Sequence, residues 1–212
     1  MTDRQHGLEQ LLKLSRIVAV LVIDDAATAV PLARALVKGG IRLIEITLRT
    51  PAALDAIRRI AGEVEGAVIG AGTILTPEQF AEVDRIGCRF IVSPGATPRL
   101  IEAAAAAQTP WLPAAATVSE MLLLLEHGYR LQKFFPAEPA GGATYLKSLA
   151  SPLSPVRFCP TGGIDERNFA RYLELPNVLC VGGSWIAPPG HVRAGDWDAV
   201  AAHAAKALGV TH

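Results

Sequence analysis

Short, almost entirely apolar runs alternate with helical patterns along the whole chain, and this alternation limits the possible folds more than any other feature. The runs begin roughly 20 to 26 residues apart, a spacing that fits one strand, one helix and two turns. Their apolar character is typical of parallel strands that are covered on both faces. The eight predicted strands are Ile17–Ile23, Leu43–Arg49, Val68–Ile74, Phe90–Pro94, Trp111–Thr117, Leu131–Ala137, Arg157–Gly163 and Val178–Trp185.

Helical patterns fill the intervals between these runs. Thr50-Pro51, Thr76-Pro77 and Thr97-Pro98 each place a capping hydroxyl before a first-turn proline, which is typical of helix starts. An amphipathic segment, Gly7–Ser15, precedes the first strand, and Trp197–Leu208, capped by Asp196, follows the last. The other predicted helices are Ala26–Lys38, Pro51–Ala61, Pro77–Ile86, Pro98–Ala107, Val118–His127, Ala143–Leu149 and Glu166–Leu173.

Eight βα units predict a (β/α)8 TIM barrel with an N-terminal capping helix, and we expect residues 1–212 to form this single domain. The chain has 212 residues and is 50% hydrophobic, which is ample for one large core. A doubly wound open sheet is the alternative, although such a sheet rarely needs eight regular repeats. Barrel active sites form where strands run into the following loops, so functional residues are expected at the C-terminal ends of the predicted strands.

The charge balance limits the partners of this chain. Lys and Arg number 20, as do Asp and Glu, whereas surfaces for nucleic acid or anionic membranes need clustered basic residues. We therefore expect neither partner, and any anionic ligand must be small and bound locally. No run approaches the roughly 20 apolar residues of a membrane span, and residues 1–10 lack the apolar core of a signal peptide.

Cysteine, histidine and glycine patterns argue against disulfides, metals and nucleotide cofactors. Cys88, Cys159 and Cys180 are odd in number and form no CxxC motif, which favours a reducing cytoplasm. Neither a Rossmann nor a Walker motif is present. We therefore expect a cytoplasmic protein without metal or cofactor. The histidines, none at metal-ligand spacing, are His6, His127, His191, His203 and His212.

Two predicted strands carry charged residues where apolar ones are expected. In the second strand, alternation places Glu45, Thr47 and Arg49 on one face and the isoleucines on the other. In the sixth, Lys133 lies among aromatic residues, whereas the other four lysines fall on predicted helices. The Glu45 and Lys133 side chains are thus expected inside the barrel, where an unpaired charge is costly.

Glu45 and Lys133 have two interpretations. They can form a salt bridge that is only structural, since buried ion pairs also occur without catalysis. Alternatively, burial favours the neutral, nucleophilic amine of Lys133, and a nearby carboxylate can shuttle the protons of Schiff-base chemistry. Arg49 on the same strand face favours the second interpretation, because it supplies a cationic group for a substrate carboxylate.

The last two predicted strands end in glycine pairs, within Pro160-Thr161-Gly162-Gly163 and Gly182-Gly183-Ser184-Trp185. In barrels these two loops commonly hold phosphate with backbone N–H groups, and glycine permits close approach. A simple chain reversal is the alternative. Thr73, at the end of the third strand, either faces a ligand or caps the next helix. Pro94 ends the fourth strand.

In this order, these segments closely resemble the 2-dehydro-3-deoxy-6-phosphogluconate aldolase family over essentially the whole chain. No single segment carries the resemblance, but the combination is highly specific. The segments are Ile44-Glu45-Ile46-Thr47-Leu48-Arg49-Thr50, Gly70-Ala71-Gly72-Thr73, Val92-Ser93-Pro94-Gly95, Lys133-Phe134-Phe135-Pro136-Ala137-Glu138, Pro160-Thr161-Gly162-Gly163 and Gly182-Gly183-Ser184-Trp185.

The resemblance implies a class I aldolase that cleaves the phosphorylated keto acid to pyruvate and glyceraldehyde 3-phosphate; many members also cleave 4-hydroxy-2-oxoglutarate. It places the Schiff-base lysine at Lys133 and the general acid/base at Glu45. The residues that it implies for substrate binding are Arg49 and Thr73 for the carboxylate, Pro94 and Phe135 for apolar contact, Thr161 for the substrate chain, and Gly162, Gly163, Gly183 and Ser184 for the phosphate.

The resemblance also implies a (β/α)8 enzyme without cofactor, typically a homotrimer. One departure is visible, because Ala114 follows Pro113 where the family commonly has glycine. From the residues alone, two other functions stay open. One is a phosphosugar isomerase or epimerase that uses Glu45 as its base, and the other is a noncatalytic phosphosugar-binding barrel.

Overall fold

The computed structural model describes residues 3–209, and this part of the chain contains nine short strands. All pairs between them are parallel. The strands are β1 (Ile17–Leu21), β2 (Leu43–Thr47), β3 (Val68–Gly72), β4 (Phe90–Val92), β5 (Trp111–Leu112), β6 (Ala114–Ala115), β7 (Leu131–Phe134), β8 (Arg157–Pro160) and β9 (Val181–Gly183).

Ten α-helices and one 3-10 turn (Ala26–Thr28) accompany the strands within residues 3–209. The helices are α1 (Asp3–Leu12), α2 (Ala29–Lys38), α3 (Ala53–Glu63), α4 (Pro77–Arg85), α5 (Pro98–Ala106), α6 (Val118–Glu126), α7 (Gly142–Leu149), α8 (Phe169–Leu173), α9 (Pro189–Ala194) and α10 (Trp197–Leu208).

The strands form two sheets, so the prediction of one closed eight-stranded (β/α)8 barrel is wrong. A six-stranded sheet has the order β5-β4-β3-β2-β1-β9, and a three-stranded sheet has the order β6-β7-β8. Pro113 divides the fifth predicted strand into β5 and β6, because proline has no N–H for a ladder. Between β8 and β9, the other place where the two sheets meet, the described residues form only two isolated bridges, Phe158–Val178 and Thr161–Gly182.

Local capping explains where most helices begin. Thr76 and Thr97 accept hydrogen bonds from the backbone N–H three residues later, ahead of α4 and α5. Thr117 and Glu120 form a complete capping box at α6. Thr50 does not cap a helix, because its hydroxyl donates to the Ile23 carbonyl and α3 begins only at Ala53. The sequence prediction missed α9 altogether.

Buried apolar residues divide into an outer and an inner cluster. The outer cluster lies between strands and helices and includes Ile44 and Ile46 of β2. The inner cluster includes Leu43 of β2 with Leu8 and Leu12 of α1. Helix α1 thus packs onto apolar side chains near the N-terminal ends of the strands, and the charged residues of β2 and β7 lie farther along.

Of the helices between residues 3 and 209, none combines the length and the apolar character that a bilayer span requires. The expectation of a single domain over residues 1–212 includes five terminal residues outside this range, and it stays a prediction. His212, one of the histidines considered for metal binding, also lies outside the described residues.

Candidate active site

Glu45 and Lys133 lie opposite each other between the two sheets. Glu45 belongs to β2 of the larger sheet and Lys133 to β7 of the smaller one. Their residues are only 3% and 5% exposed, and Lys133 Nζ lies 3.4 Å from Glu45 Oε1. Because each charge is removed from water, each depends on the other for compensation. This geometry also allows a proton to pass between an amine and a carboxylate.

A glycine on β3 makes room for the Glu45 carboxylate. Gly72 pairs with Thr47 of β2, and a Cβ at position 72 would lie 2.0 Å from Glu45 Oε1. No real side chain fits at that distance, so the absence of a side chain at position 72 determines where the carboxylate can lie. The sequence prediction included Gly72 in a motif but gave it no role.

Phe135 borders the amine of Lys133. The Lys133 Nζ lies 5.2 Å from the centroid of the half-buried Phe135 ring, within range of a cation–π contact. On the other side of the strand, Phe134 stacks on Tyr145 in the outer core. Ala114 is the ladder partner of Lys133 on β6, so the departure from the resembled family lies beside the lysine.

Arg49 and Thr73 are joined at the ends of β2 and β3. Arg49 is exposed, and its Nε donates to Thr73 Oγ1 over 3.2 Å. Thr73 has a φ of 60°, which is unusual for a β-branched residue and marks a strained backbone position. Such positions concentrate at functional sites, and here the strained residue orients a guanidinium that remains available to an anion.

Thr161, Gly162 and Gly163 form the loop after β8. Thr161 is buried and bridges to Gly182, where a Cβ would lie 2.3 Å from Thr161 Oγ1. Gly162 and Gly163 have φ values of 102° and 77°, a region that favours glycine. A Cβ at Gly162 would lie 3.3 Å from the Phe135 ring, which brings this loop next to the residues that follow Lys133.

Three predicted site residues have neighbours outside the contacts described so far. Pro94 lines a cavity of about 290 Å³ with Ile74, Leu75 and the start of α5. Ser184 is exposed and lines a cavity of about 450 Å³ between β1, α2 and α9. Gly183 is buried under the Trp185 ring, with space for no Cβ. The contacts therefore join Glu45 to Lys133, Arg49 to Thr73 and Phe135 to Gly162, whereas Pro94 and Ser184 line separate cavities.

Two further polar residues lie next to this site and were not predicted. The hydroxyl of Tyr172 on α8 donates to Glu138 Oε1 in the loop after β7. Burial, and then this hydrogen bond, raises the pKa of the Tyr172 phenol well above its usual range. Glu138 belongs to a sequence motif quoted above, but nothing in the sequence identifies its partner. Within residues 3–209, no group of three or more His, Cys, Asp or Glu side chains could hold a metal ion.

Comparison with known proteins gives consistent matches over nearly the full length. A family model described as KDPG and KHG aldolase matches residues 8–203. The chain is 48% identical over 208 residues to the KHG/KDPG aldolase of Escherichia coli (strain K12), covering 98% of each chain.

Two solved structures are also similar to this chain. One is KDPG aldolase from Legionella pneumophila with pyruvate captured at low pH as a covalent carbinolamine intermediate, at 42% identity and a TM-score of 0.92, covering 94% of this chain and 97% of that one. The other is the aldolase of Zymomonas mobilis ZM4 with 3-phosphoglycerate, at 44% identity and a TM-score of 0.90, covering 98% of both chains. This chain therefore belongs to the KDPG and KHG aldolase family.

Proposed function

We propose that this protein is a class I aldolase that cleaves 2-dehydro-3-deoxy-6-phosphogluconate to pyruvate and glyceraldehyde 3-phosphate through a Schiff base on Lys133. The buried pair of Lys133 Nζ and Glu45 Oε1, 3.4 Å apart, is the observation that carries this proposal. A nucleophilic amine with an adjacent proton acceptor is what imine formation requires.

The first half of the proposed reaction joins the substrate to Lys133. Transfer of a proton from the ammonium to Glu45 leaves a neutral amine, whose lone pair attacks the C2 carbonyl of the substrate. The resulting carbinolamine takes up a proton and loses water, which leaves a protonated imine. The relative from Legionella pneumophila, solved with pyruvate as a carbinolamine, supports this order of steps for the present chain.

The second half breaks the C3–C4 bond. Glu45, directly or through water, accepts the proton of the C4 hydroxyl as glyceraldehyde 3-phosphate leaves. The bonding electrons pass into the protonated imine, which becomes a neutral enamine. Protonation of the enamine at C3 and hydrolysis of the imine release pyruvate and restore the Lys133 amine. Burial limits the access of bulk water, and hydrolysis of the imine needs one water molecule at C2.

The remaining site residues are proposed to align the substrate from end to end. Arg49, oriented by Thr73, would bind the pyruvyl carboxylate, with Pro94 and Phe135 in apolar contact. Thr161 would contact the middle of the chain. At the far end, backbone N–H groups of Gly162, Gly163 and Gly183, with the Ser184 hydroxyl, would bind the phosphate. Binding energy from this remote group would hold the C3–C4 bond in position.

Trapping with pyruvate and borohydride tests the proposal. Reduction of the imine would leave a stable adduct, which mass spectrometry can locate on Lys133. Lys133→Ala should give no adduct and no turnover, whereas Lys147→Ala, on the exposed face of α7, should match the parent protein. Failure to label Lys133 in the folded protein would refute the Schiff base and favour the isomerase or binding-protein alternatives.

Glu45→Gln separates the acid/base role from a structural role. The amide can still accept a hydrogen bond but cannot take a proton, so turnover should fall by about 100-fold or more. Slow trapping of pyruvate should persist, because Lys133 is still present. Turnover at the parental rate in a folded Glu45→Gln protein would show that the ion pair is only structural.

We further propose three properties that the family resemblance or the thiols support. The enzyme would also cleave 4-hydroxy-2-oxoglutarate, which a pyruvate-release assay tests. It would form a homotrimer of the 22.4 kDa chain, which sedimentation velocity tests. It would reside in the cytoplasm, where its three free buried cysteines stay reduced, and cell fractionation tests this location.

A further inference from the structure

Glu138 connects the loop that follows Lys133 to the glycine loop after β8. The Glu138 backbone N–H donates to the Gly162 carbonyl over 3.0 Å, and that of Ala137 donates to the Thr161 carbonyl over 2.8 Å. A Cβ at Gly163 would lie 2.7 Å from Glu138 Cβ, so the Glu138 side chain packs directly on Gly163. Two backbone hydrogen bonds and this packing contact thus connect Glu138 to the glycine loop.

Tyr172 holds the other end of the Glu138 side chain. The Tyr172 residue is 0% exposed, and its hydroxyl donates to Glu138 Oε1. Gly142, at the start of α7, packs against both groups, since a Cβ there would lie 3.2 Å from Glu138 Oε1 and 3.4 Å from the Tyr172 hydroxyl. The carboxylate is thus fixed by a buried donor, although Glu138 as a residue is exposed.

The negative charge of Glu138 can interfere with phosphate binding at the glycine loop. A carboxylate next to backbone N–H groups can bind them itself, in competition with a phosphate, and it repels a bound phosphate at short range. Glu138 Oε1 instead accepts a hydrogen bond from Tyr172, which is buried. This bond occupies one acceptor oxygen of the carboxylate, and an oxygen bound to Tyr172 is less free to bind the N–H groups of the loop.

We propose that Glu138 and Tyr172 form a clasp that fixes the Gly162–Gly163 loop for the phosphate group of the substrate. The two are positioning residues, since they act through the loop rather than on the reacting atoms. This inference rests on the proposed function, because it assumes that the loop binds phosphate. It gives the chain a specificity determinant on α8, outside the strand ends that carry the other site residues.

Tyr172→Phe tests the clasp, because it removes one hydroxyl and leaves the ring in place. The KM for the phosphorylated substrate should rise about tenfold, with kcat changed less than about twofold. The pyruvate concentration that half-saturates borohydride trapping should stay unchanged, because pyruvate has no phosphate. Glu138→Gln keeps an acceptor for Tyr172 and removes the charge, so its KM should equal the parental value or fall below it.

Tyr129→Phe is the matched control, because Tyr129 precedes β7 and lies at the opposite end of that strand. Its KM should equal that of the parent protein. An unchanged KM in Tyr172→Phe, or an equal rise in the half-saturating pyruvate concentration, would overturn the clasp while the proposed function stands. If the parent protein forms no pyruvate adduct at Lys133, the proposed function itself fails.

Discussion

The glycine at position 72 leaves the space that the Glu45 carboxylate occupies beside Lys133. A Cβ there would lie 2.0 Å from Glu45 Oε1 and 2.7 Å from the Glu45 Cδ, so Gly72→Ala must displace the carboxylate. A displacement of about 1 Å in a catalytic group can cost about 100-fold in rate, so we expect kcat to fall by that order. Steady-state assays with circular dichroism would separate this loss from misfolding.

Gly62→Ala provides the control for that substitution. Gly62 lies in α3 with no heavy atom within 4 Å of a Cβ built there. Activity should stay at the parental level, and stability should rise by about 0.5–1 kcal/mol, because alanine is a better helix former. Parental kcat in a folded Gly72→Ala protein would mean that the Glu45 carboxylate can function from another position.

For single residues, the alternation of side chains along a strand predicts which of them face the site, but it does not predict backbone strain there. The alternation in β2 places Glu45 and Thr47 on one face, and the structure buries both there. Alternation does not reveal the left-handed φ of Thr73, and it does not reveal the role of Gly72, which depends on a contact with Glu45 of the neighbouring strand. A sequence pattern carries the direction of a side chain but not the space around it.

Among the elements, α1 ties the two sheets together through one side chain. Gln5 Nε2 donates to the Trp111 carbonyl of β5 over 3.1 Å, and Gln5 Oε1 accepts from the Leu131 N–H of β7 over 3.0 Å. These strands belong to different sheets, and Gln5 is buried. We expect Gln5→Ala to lower the free energy of unfolding by about 2–3 kcal/mol, because it leaves both backbone groups unpaired.

Chemical denaturation of Gln5→Ala beside Gln10→Ala would measure this effect. Gln10 is exposed on the same helix, so its substitution changes helix propensity equally without removing a buried contact. Gln10→Ala should change the unfolding free energy by less than about 0.5 kcal/mol. Equal effects of the two substitutions would show that Gln5 does not hold the sheets together.

The same region explains why the strand prediction failed in part. The apolar run Trp111–Thr117 predicts one strand, but the structure divides it at Pro113, where no N–H is available. The prediction rests on a nearly continuous apolar run at regular spacing, and apolar residues stand on both sides of Pro113. By contrast, Thr-Pro correctly predicted the starts of α4 and α5, where a cap acts within a few residues.

For the whole molecule, the rate at which the three cysteine thiols react measures how often the fold opens. Cys88, Cys159 and Cys180 are free and buried in the structure. Burial, aided by the nearby Asp84, raises the pKa of the Cys88 thiol to about 12. A hydrogen bond with Cys159, followed by burial, also raises the pKa of Cys180. Since the thiolate is the reactive form, the raised pKa values should make Cys88 and Cys180 nearly inert at pH 8 in the closed structure, and burial shields Cys159 from the reagent.

We therefore expect a disulfide reagent at pH 8 to label the native protein at least about 1000-fold more slowly than the denatured protein, in which three thiols react. Ser151→Cys, in the exposed turn after α7, supplies a reference thiol that should react at once. If Cys88 reacted at a rate close to that of this reference, its surroundings would have to open locally rather than with the rest of the fold. Slow labelling of all three thiols at one common rate would instead show that α1, both sheets and the outer helices open together.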